Sequence, residues 1–298
     1  MASTESICAR LCLLTHMKYK PDMPPPLSRA TVSRMVRLGA IDGLALRSVS
    51  GIRQEHYDCA QQLLSQASRV YAKLERYQAQ GFDVLLPEDD CWPAKLEALG
   101  IQMPQYLFIK GNAALLSCHA IAVAGSRHIT PETMNTAEKC GRMIAEAGLT
   151  MVSGGAQGVD TMAQLGALKA GGSLILVPAL PARDLLGNKN LNEALEREQL
   201  LVCCETWPDE AFSASKALTR NHTIYALGNA ALVVASRRGI GGSWRGAADC
   251  LRRGYTPVYA ICTENPDMAG NHGLVELGAK TYDVGKPMIG QFFDMKRI

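Results

Sequence analysis

The sequence of 298 residues predicts an α/β fold: a doubly wound, mostly parallel sheet preceded by a small helical N-terminal domain. Three observations support this prediction. Short apolar runs recur between residues 120 and 262, helix-length segments separate most of them, and glycine and serine cluster where several runs end. Because helices cover both faces of a parallel sheet, its strands are apolar throughout instead of alternating between apolar and polar residues. The pattern is therefore typical of repeated strand–helix–strand units.

Residues 1–80 supply the helical domain. In the segment SRATVSRMVRLGA, apolar residues recur at helical spacing, with Ser28 or Thr31 as the N-cap. A longer segment, HYDCAQQLLSQASRVYAKLERYQAQG, predicts one helix with Gly81 as its C-cap. The proline-rich run PDMPPP, from Pro21 to Pro26, predicts a stiff connector between helices.

Residues 81–298 supply the sheet. Two strands come first, in FDVLL and YLFIKG, with an acidic turn and a helix between them. Six further strands follow, with helices after most of them, in AIAVAG, LTMVSG, LILVPA, LLVCCE, ALVVAS and PVYAIC. This alternation predicts a Rossmann-like sheet.

The composition restricts the class of protein. Hydrophobic residues make up 47% of the chain and charged residues 20%, which is typical of a soluble globular protein. No apolar run approaches the roughly 18–20 residues that span a bilayer, and the N-terminus has no signal-peptide pattern, so we expect no membrane association. The ten cysteines lack paired metal-site spacing, which indicates reduced thiols in the cytoplasm and no metal site. A net charge of only +3 restricts any nucleic-acid site to a local patch.

Three strand-to-helix loops carry glycine, serine or aspartate at the edge of the sheet where such folds bind ligands. They are AGSRHITPET at 124–133, SGGAQGVD at 153–160 and SRRGIGGSWRGAAD at 236–249. Glycine lets the backbone turn sharply and lets an anion approach the peptide N–H groups, and the following helix adds the positive end of its dipole. Three such loops at one edge together indicate an anion-binding site.

Single residues in the second loop also have structural explanations. Gly154 and Gly155 fit a close helix–sheet contact, Ser153 fits a helix cap, and Asp160 fits the first turn of a helix. Neither a G-x-G-x-x-G fingerprint nor a G-x-x-x-x-G-K-[ST] loop occurs in the chain. A conventional NAD dehydrogenase or P-loop ATPase is therefore disfavoured, and we expect no cofactor.

Arginine residues supply cations beside these loops. They are Arg127, Arg220, Arg237, Arg238 and Arg245. Guanidinium groups above a ring of backbone donors suit phosphate oxygens. Trp244 or His222 could stack on a base, although Trp244 fits a packing role equally well.

The motif blocks of this region occur in a characteristic order. AVAGSR, MVSGGAQGVDTMAQLGALKAGG, TRNHTIYALGNAALVVAS, GGSWRGAADCLRRGYTPVYAI and GNHGLVELGA together resemble the DprA/Smf family of DNA-processing proteins. The segment DDCWPAKLEALGIQMPQYLFIKGN is similar to the segment that leads into the family's Rossmann-like core, with Trp92 where tyrosine is commoner. The likeness covers roughly residues 80–280, and residues 1–80 are compatible with the family's helical, SAM-like domain.

The resemblance implies a non-enzymatic protein that binds single-stranded DNA, protects incoming DNA and helps to load the RecA recombinase during natural transformation. It also implies a homodimer formed through the Rossmann-like domain. The positions that match the family's motifs, and that the resemblance assigns to DNA or phosphate binding, are Gly125, Ser126, Arg127, Ser153, Gly154, Gly155, Gly158, Asp160, Arg220, Asn221, Gly242 and Ser243.

The chain departs from the family pattern at three positions. Gln157 stands where arginine is frequent, Gln164 where histidine is common, and His222 where a second arginine usually follows the Arg–Asn pair. Each departure replaces a cation with a neutral or weaker one. If those groups contact phosphates, DNA binding is weaker and less salt-dependent than is typical, because each lost contact removes counterion release.

Two other hypotheses stay open. The first is a sensor or hydrolase of small nucleotides, for which a glutamate would follow the glycine-rich turn; GIGGSWRGAADC offers only Asp249. Asp160 and Glu205 are the other carboxylates near predicted strand ends, and nothing in the sequence pairs them for acid–base chemistry. The second is a partner-binding scaffold, with the strand NAALVVAS and the tail that carries Phe292 and Phe293 as a dimer surface.

Overall fold

A computed structural model describes residues 2–15 and 23–292 of the chain. Its helices are α1 Thr4–Leu14, α2 Arg29–Arg37, α3 Gln54–Leu64, α4 Ala67–Gln78, α5 Pro131–Glu146, α6 Val159–Lys169, α7 Ala182–Leu186, α8 Lys189–Glu196, α9 Ala214–Leu227, α10 Gly241–Arg253, α11 Ala269–Glu276 and α12 Ile289–Phe292. Its strands are β1 Ile41–Asp42, β2 Ala45–Leu46, β3 Asp83–Leu85, β4 Leu107–Gly111, β5 Ala120–Gly125, β6 Thr150–Ser153, β7 Leu174–Leu176, β8 Leu200–Cys204, β9 Ala230–Ala235, β10 Val258–Ile261 and β11 Lys280–Tyr282. Among these helices, none combines the length and the apolar character that a membrane crossing requires.

Within the described residues, one sheet of nine strands has the order β11-β10-β9-β5-β6-β7-β8-β4-β3. The strands from β11 to β8 are parallel, and β4 and β3 join the edge in antiparallel orientation. The chain runs from β5 outward through β6 and β7 to β8, then returns to β9 on the other side of β5. This confirms the predicted doubly wound, mostly parallel sheet and places its switch point between β5 and β9. Sequence analysis missed β11, a short strand in which only Tyr282 is buried.

Apolar cores lie on both faces of the sheet because alternate strand residues point in opposite directions. In β8, for example, Leu200 and Val202 join one core, whereas Leu201 and Cys203 join the other. Helices α1, α4, α5, α6 and α8 pack on the first face, and α9, α10 and α11 pack on the second. A smaller third core lies among α2, α3 and the β1–β2 hairpin. The division of the chain at residue 80 stays a prediction.

The prediction of a single long helix over residues 56–81 is wrong, because two helices, α3 and α4, occupy this region. The break lies at Ser65 and Gln66, whose side chains donate hydrogen bonds to the carbonyl groups of Gln62 (2.6 Å) and Leu63 (3.4 Å). Such local bonds compete with the helical backbone ladder.

The predicted helix ends at Ser28 and Gly81 are confirmed. The Ser28 hydroxyl caps α2 by accepting a hydrogen bond from the Thr31 N–H at 3.1 Å. Gly81 has φ +80°, and the N–H groups of Gly81 and Phe82 donate back into the last turn of α4, as in a Schellman motif. Of the PDMPPP run, residues 21 and 22 lie outside the described residues, and the remainder precedes α2 without regular structure.

Two further expectations change. The predicted helix between the first two sheet strands consists of 3₁₀ turns over Ala94–Gln102, interrupted at Gly100. The strand NAALVVAS cannot form a dimer surface, because β9 lies between β5 and β10 and all six of its residues are buried. Phe292 packs against the ring of Tyr282, with ring centroids 5.1 Å apart, and Phe293 lies outside the described residues.

Candidate functional site

A cavity of about 570 Å³ lies beyond the carboxyl ends of β5 and β9, at the switch point of the sheet. The three glycine-bearing loops and one side of α9 form its walls. The predicted site residues that line it are Gly125, Ser126, Arg127, Asp160, Arg220, Asn221, Gly242 and Ser243. The other four lie outside the lining: Ser153 ends β6, and Gly154, Gly155 and Gly158 lie in the loop between β6 and α6.

Close backbone contacts join the first loop to its neighbours. The Ser126 N–H donates to the carbonyl of Ala235 at the end of β9 (2.9 Å), and the Ser243 hydroxyl donates to the carbonyl of Gly125 (2.6 Å). A Cβ atom on Gly158, which has φ +86°, would lie 2.4 Å from the Ser126 carbonyl oxygen. Glycine at 158 therefore lets the second loop pass directly beneath the first.

The second loop uses its own backbone donors internally. One carboxylate oxygen of Asp160 accepts hydrogen bonds from the N–H groups of Gly154 (3.1 Å) and Ala156 (3.3 Å). Ser153 is fully buried and accepts a hydrogen bond from the Gln164 side chain at 2.8 Å. These polar groups of the loop therefore stabilise its conformation.

A buried arginine stands between this loop and the cavity. Arg220 is 8% exposed, and a Cβ atom on Gly154 would lie 1.7 Å from its Nη1 atom. Burial lowers the pKa of Arg220, while the carboxylates of Asp160 and Glu205 raise it. Burial also raises the pKa of Asp160 to about 6, against the opposing effects of Arg220 and the two loop N–H groups.

The third loop leads into the first turn of α10, which faces the cavity through Gly241, Gly242 and Ser243. The residue before the helix, Ile240, makes no capping hydrogen bond. By contrast, Thr130 caps α5. The first N–H groups of an α-helix have no partner within the helix, so the start of α10 presents backbone donors and a positive dipole end to the cavity.

A buried asparagine fixes the origin of this third loop. The Asn271 side chain donates to the carbonyl groups of Val233 (3.1 Å), Val234 (3.0 Å) and Ile261 (2.7 Å). Its carbonyl oxygen accepts from the Ser236 hydroxyl at 2.6 Å. The GNHG block therefore holds the ends of β9 and β10 in place, a role that sequence analysis did not assign to it.

The charge of the cavity is predominantly positive. The cationic side chains in its lining are Arg127, Arg220, Arg237 and Arg245, and the only carboxylate among its lining residues is Asp160. Arg127, Arg237 and Arg245 are exposed, and none has an ion-pair partner among the described residues. Arg238 instead pairs with Glu276 at 2.5 Å.

The departures from the family pattern lie away from the cavity lining. Gln157 is exposed, and Gln164 is buried against Ser153. His222 lies with its Nε2 atom 2.8 Å from a carboxylate oxygen of Asp249, which Arg253 also contacts at 2.9 Å. These contacts give Gln164 and His222 structural roles.

Neither predicted stacking residue presents its ring to the cavity. His222 is held by Asp249, and Trp244 packs so closely on α11 that a Cβ atom on Gly273 would lie 2.7 Å from its ring. The lining does contain two exposed residues that carry a ring, Phe212 and His128. Sequence analysis missed Phe212 because one phenylalanine in a polar segment, DEAFSASK, gives no periodic signal.

The fold and the cavity define a Rossmann-like protein with a cationic cavity at the switch point of its sheet. The chain belongs to the DNA recombination-mediator protein A family, whose sequence profile matches residues 83–292. This confirms the DprA/Smf resemblance.

The chain is 32% identical over 208 residues to DNA processing protein DprA of Streptococcus pneumoniae, covering 68% of this chain and 72% of that protein. It is 27% identical over 226 residues to DprA of Bacillus subtilis, covering 73% and 75% respectively.

Solved structures confirm the fold. The X-ray structure of S. pneumoniae DprA matches with a TM-score of 0.72 at 24% identity, over 99% of this chain and all of that one. A structure of Helicobacter pylori DprA, described for its single-stranded DNA binding mode, matches with a TM-score of 0.58 at 23% identity, over 68% of this chain and 92% of that one.

Proposed function

We propose that this protein binds single-stranded DNA, without catalysis, by holding backbone phosphates in the switch-point cavity. The observation that carries the proposal is the uncapped start of α10 facing a cavity that contains four arginines and one carboxylate. Helix N-termini and guanidinium groups are the protein groups that best suit phosphate oxygens. The H. pylori relative is described as binding single-stranded DNA, which favours a DNA strand and not a free phosphate ion as the ligand.

The binding mode follows from the groups available. Phosphates contact Arg127, Arg237 and Arg245 together with the N–H groups at Gly242 and Ser243, whereas Gly154 and Ala156 donate to Asp160 instead. Phosphate contacts position a strand without reading its sequence, so we expect little sequence preference.

The biological setting rests on family membership. On that basis we propose a homodimer in the cytoplasm that assists the loading of RecA onto single-stranded DNA during DNA uptake. A nucleotide hydrolase is less well supported because the cavity lacks paired carboxylates. Asp249 lies outside the lining, Glu205 pairs with Arg29 at 2.5 Å, and Asp160 accepts hydrogen bonds from its own loop.

Titration of labelled oligo-dT at increasing salt concentration tests the proposal. Wild-type protein should bind at low salt, and Arg127→Ala should lower both the affinity and the salt dependence, by about 0.7 in the logarithmic slope for one lost phosphate contact. Arg76→Ala is the matched control, because Arg76 is an exposed arginine on α4 outside the cavity. Absence of binding at low salt, or identical titrations for Arg127→Ala and wild type, would contradict the proposal.

A further inference from the structure

We propose that Phe212 is the platform on which one base of the bound strand stacks. The inference rests on the proposed function and adds to it a contact with a nucleobase. Phe212 lies between β8 and α9, lines the cavity, and is 44% exposed. The ring belongs to none of the three apolar cores, the Arg127 guanidinium lies over it, and its exposed surface offers a nucleobase an aromatic face of matching character.

The segment that carries Phe212 is fixed on both sides. Trp207 is buried among the aromatic residues of the sheet, and Asp209 forms an ion pair with Lys73 on α4 at 3.1 Å. Glu210 forms an ion pair with Lys216 on α9. The ring is therefore held at the cavity by anchored residues, which lowers the entropic cost of using it for binding.

The cation beside the Phe212 ring is Arg127, which can contact a phosphate of the same strand. The Arg127 guanidinium carbon lies 5.7 Å from the centroid of the Phe212 ring. A base on Phe212 therefore brings a backbone phosphate of the same strand within reach of Arg127. Ile240, which is 65% exposed and also lines the cavity, adds apolar surface from the third loop.

The other rings do not offer this surface. Besides Phe212, the Phe, Tyr or Trp side chain that lines the cavity is Tyr225, and it is only 1% exposed. Trp244 packs on α11, and Asp249 holds His222. Phe212 is thus the Phe, Tyr or Trp side chain of the lining whose ring is open to a ligand, and the other exposed ring there is the imidazole of His128.

A double-mutant cycle between protein and DNA tests the proposal. Oligo-dT and an abasic oligonucleotide of the same length are titrated with wild-type protein, Phe212→Ala and Phe212→Trp. Wild type should bind oligo-dT more tightly than the abasic strand, and Phe212→Ala should lose about 5- to 150-fold in oligo-dT affinity, the range expected for one stacked base. The same substitution should leave binding of the abasic strand and the salt slope unchanged, because it removes no charge. Phe212→Trp should retain the preference.

The control is Tyr71→Ala, which removes an aromatic ring of nearly equal exposure, 43%, from α4 outside the cavity. Equal oligo-dT affinity for Phe212→Ala and wild type overturns the inference, as does an equal loss on both strands. In either case the salt-dependent binding of wild type and its loss in Arg127→Ala would still support the proposed function. If wild-type protein binds neither strand, both proposals fail.

Discussion

The guanidinium group of Arg220 occupies the space that a side chain on Gly154 would fill. A Cβ atom at residue 154 would lie 1.7 Å from Nη1 and 2.4 Å from Cζ of this arginine. The glycine directly after β6 is therefore required for a buried cation to lie at the wall of the cavity, near Asp160. The buried Arg220 thus explains why the second loop has glycine at residue 154.

Gly154→Ala should displace Arg220 and destabilise the protein by about 1–3 kcal/mol, as is usual when a packed interior is overfilled. Chemical denaturation measures this change. Arg220→Ala in the same chain should recover part of the loss, because it removes the clashing group. The matched control is Gly187→Ala, whose Cβ atom would make an ordinary 3.6 Å contact. Full stability of Gly154→Ala would contradict the proposed packing.

Asp160 should make stability depend on pH. Its pKa rises from 3.8 to about 6 because it is buried, so the folded protein favours the protonated carboxyl group. The corresponding contribution, about 3 kcal/mol, is fully present below pH 3.8 and is lost as the pH rises through about 6. Relative to wild type, Asp160→Asn should therefore gain stability across this window. Denaturant unfolding of both proteins at several pH values measures the difference, and parallel pH profiles would refute the assignment.

Gln164→Ala should affect stability and leave DNA binding intact. The substitution leaves the buried Ser153 hydroxyl without its 2.8 Å partner, which costs about 1–3 kcal/mol. Neither residue lines the cavity, so oligo-dT affinity should not change. Gln157→Ala, at an exposed position in the loop that precedes α6, is the control and should change neither quantity. A loss of affinity at unchanged stability would show that Gln164 contacts the ligand.

The ion pair between Arg29 and Glu205 should couple α2 to the carboxyl end of β8. The Glu205 side chain is 5% exposed, so Arg29→Ala leaves a buried carboxylate without its cation and should cost about 3–5 kcal/mol. Adding Glu205→Gln should recover most of that loss, because the uncompensated charge disappears. Arg37→Ala, an exposed arginine of the same helix, is the control for denaturation experiments. If the single and double variants unfold alike, the pair contributes no coupling.

The sheet could be predicted because the signal is local and repeated. Most parallel strands are apolar runs such as Ile121–Val123, and glycine or serine follows β5, β6 and β9. The short strand β11 has no such run, since only Tyr282 of its three residues is buried. The break between α3 and α4 depends on two side-chain hydrogen bonds, from Ser65 and Gln66, that helical periodicity does not reveal.

The site was harder to predict because a motif does not show which atoms face a ligand. Arg127 and Ser243 line the cavity as the loop positions suggested. The N–H group of Gly154, in contrast, donates to Asp160, a contact that depends on the three-dimensional course of the loop. Phe212 reaches the cavity only through tertiary folding, so nothing in its local sequence distinguished it from a surface residue.

A crystal structure of the protein with oligo-dT is the most direct test that the switch-point cavity holds the DNA backbone. We expect phosphate density against Arg127 and the first turn of α10, at Gly242 and Ser243. Density for the strand elsewhere on the surface, with the cavity free of DNA, would contradict the account.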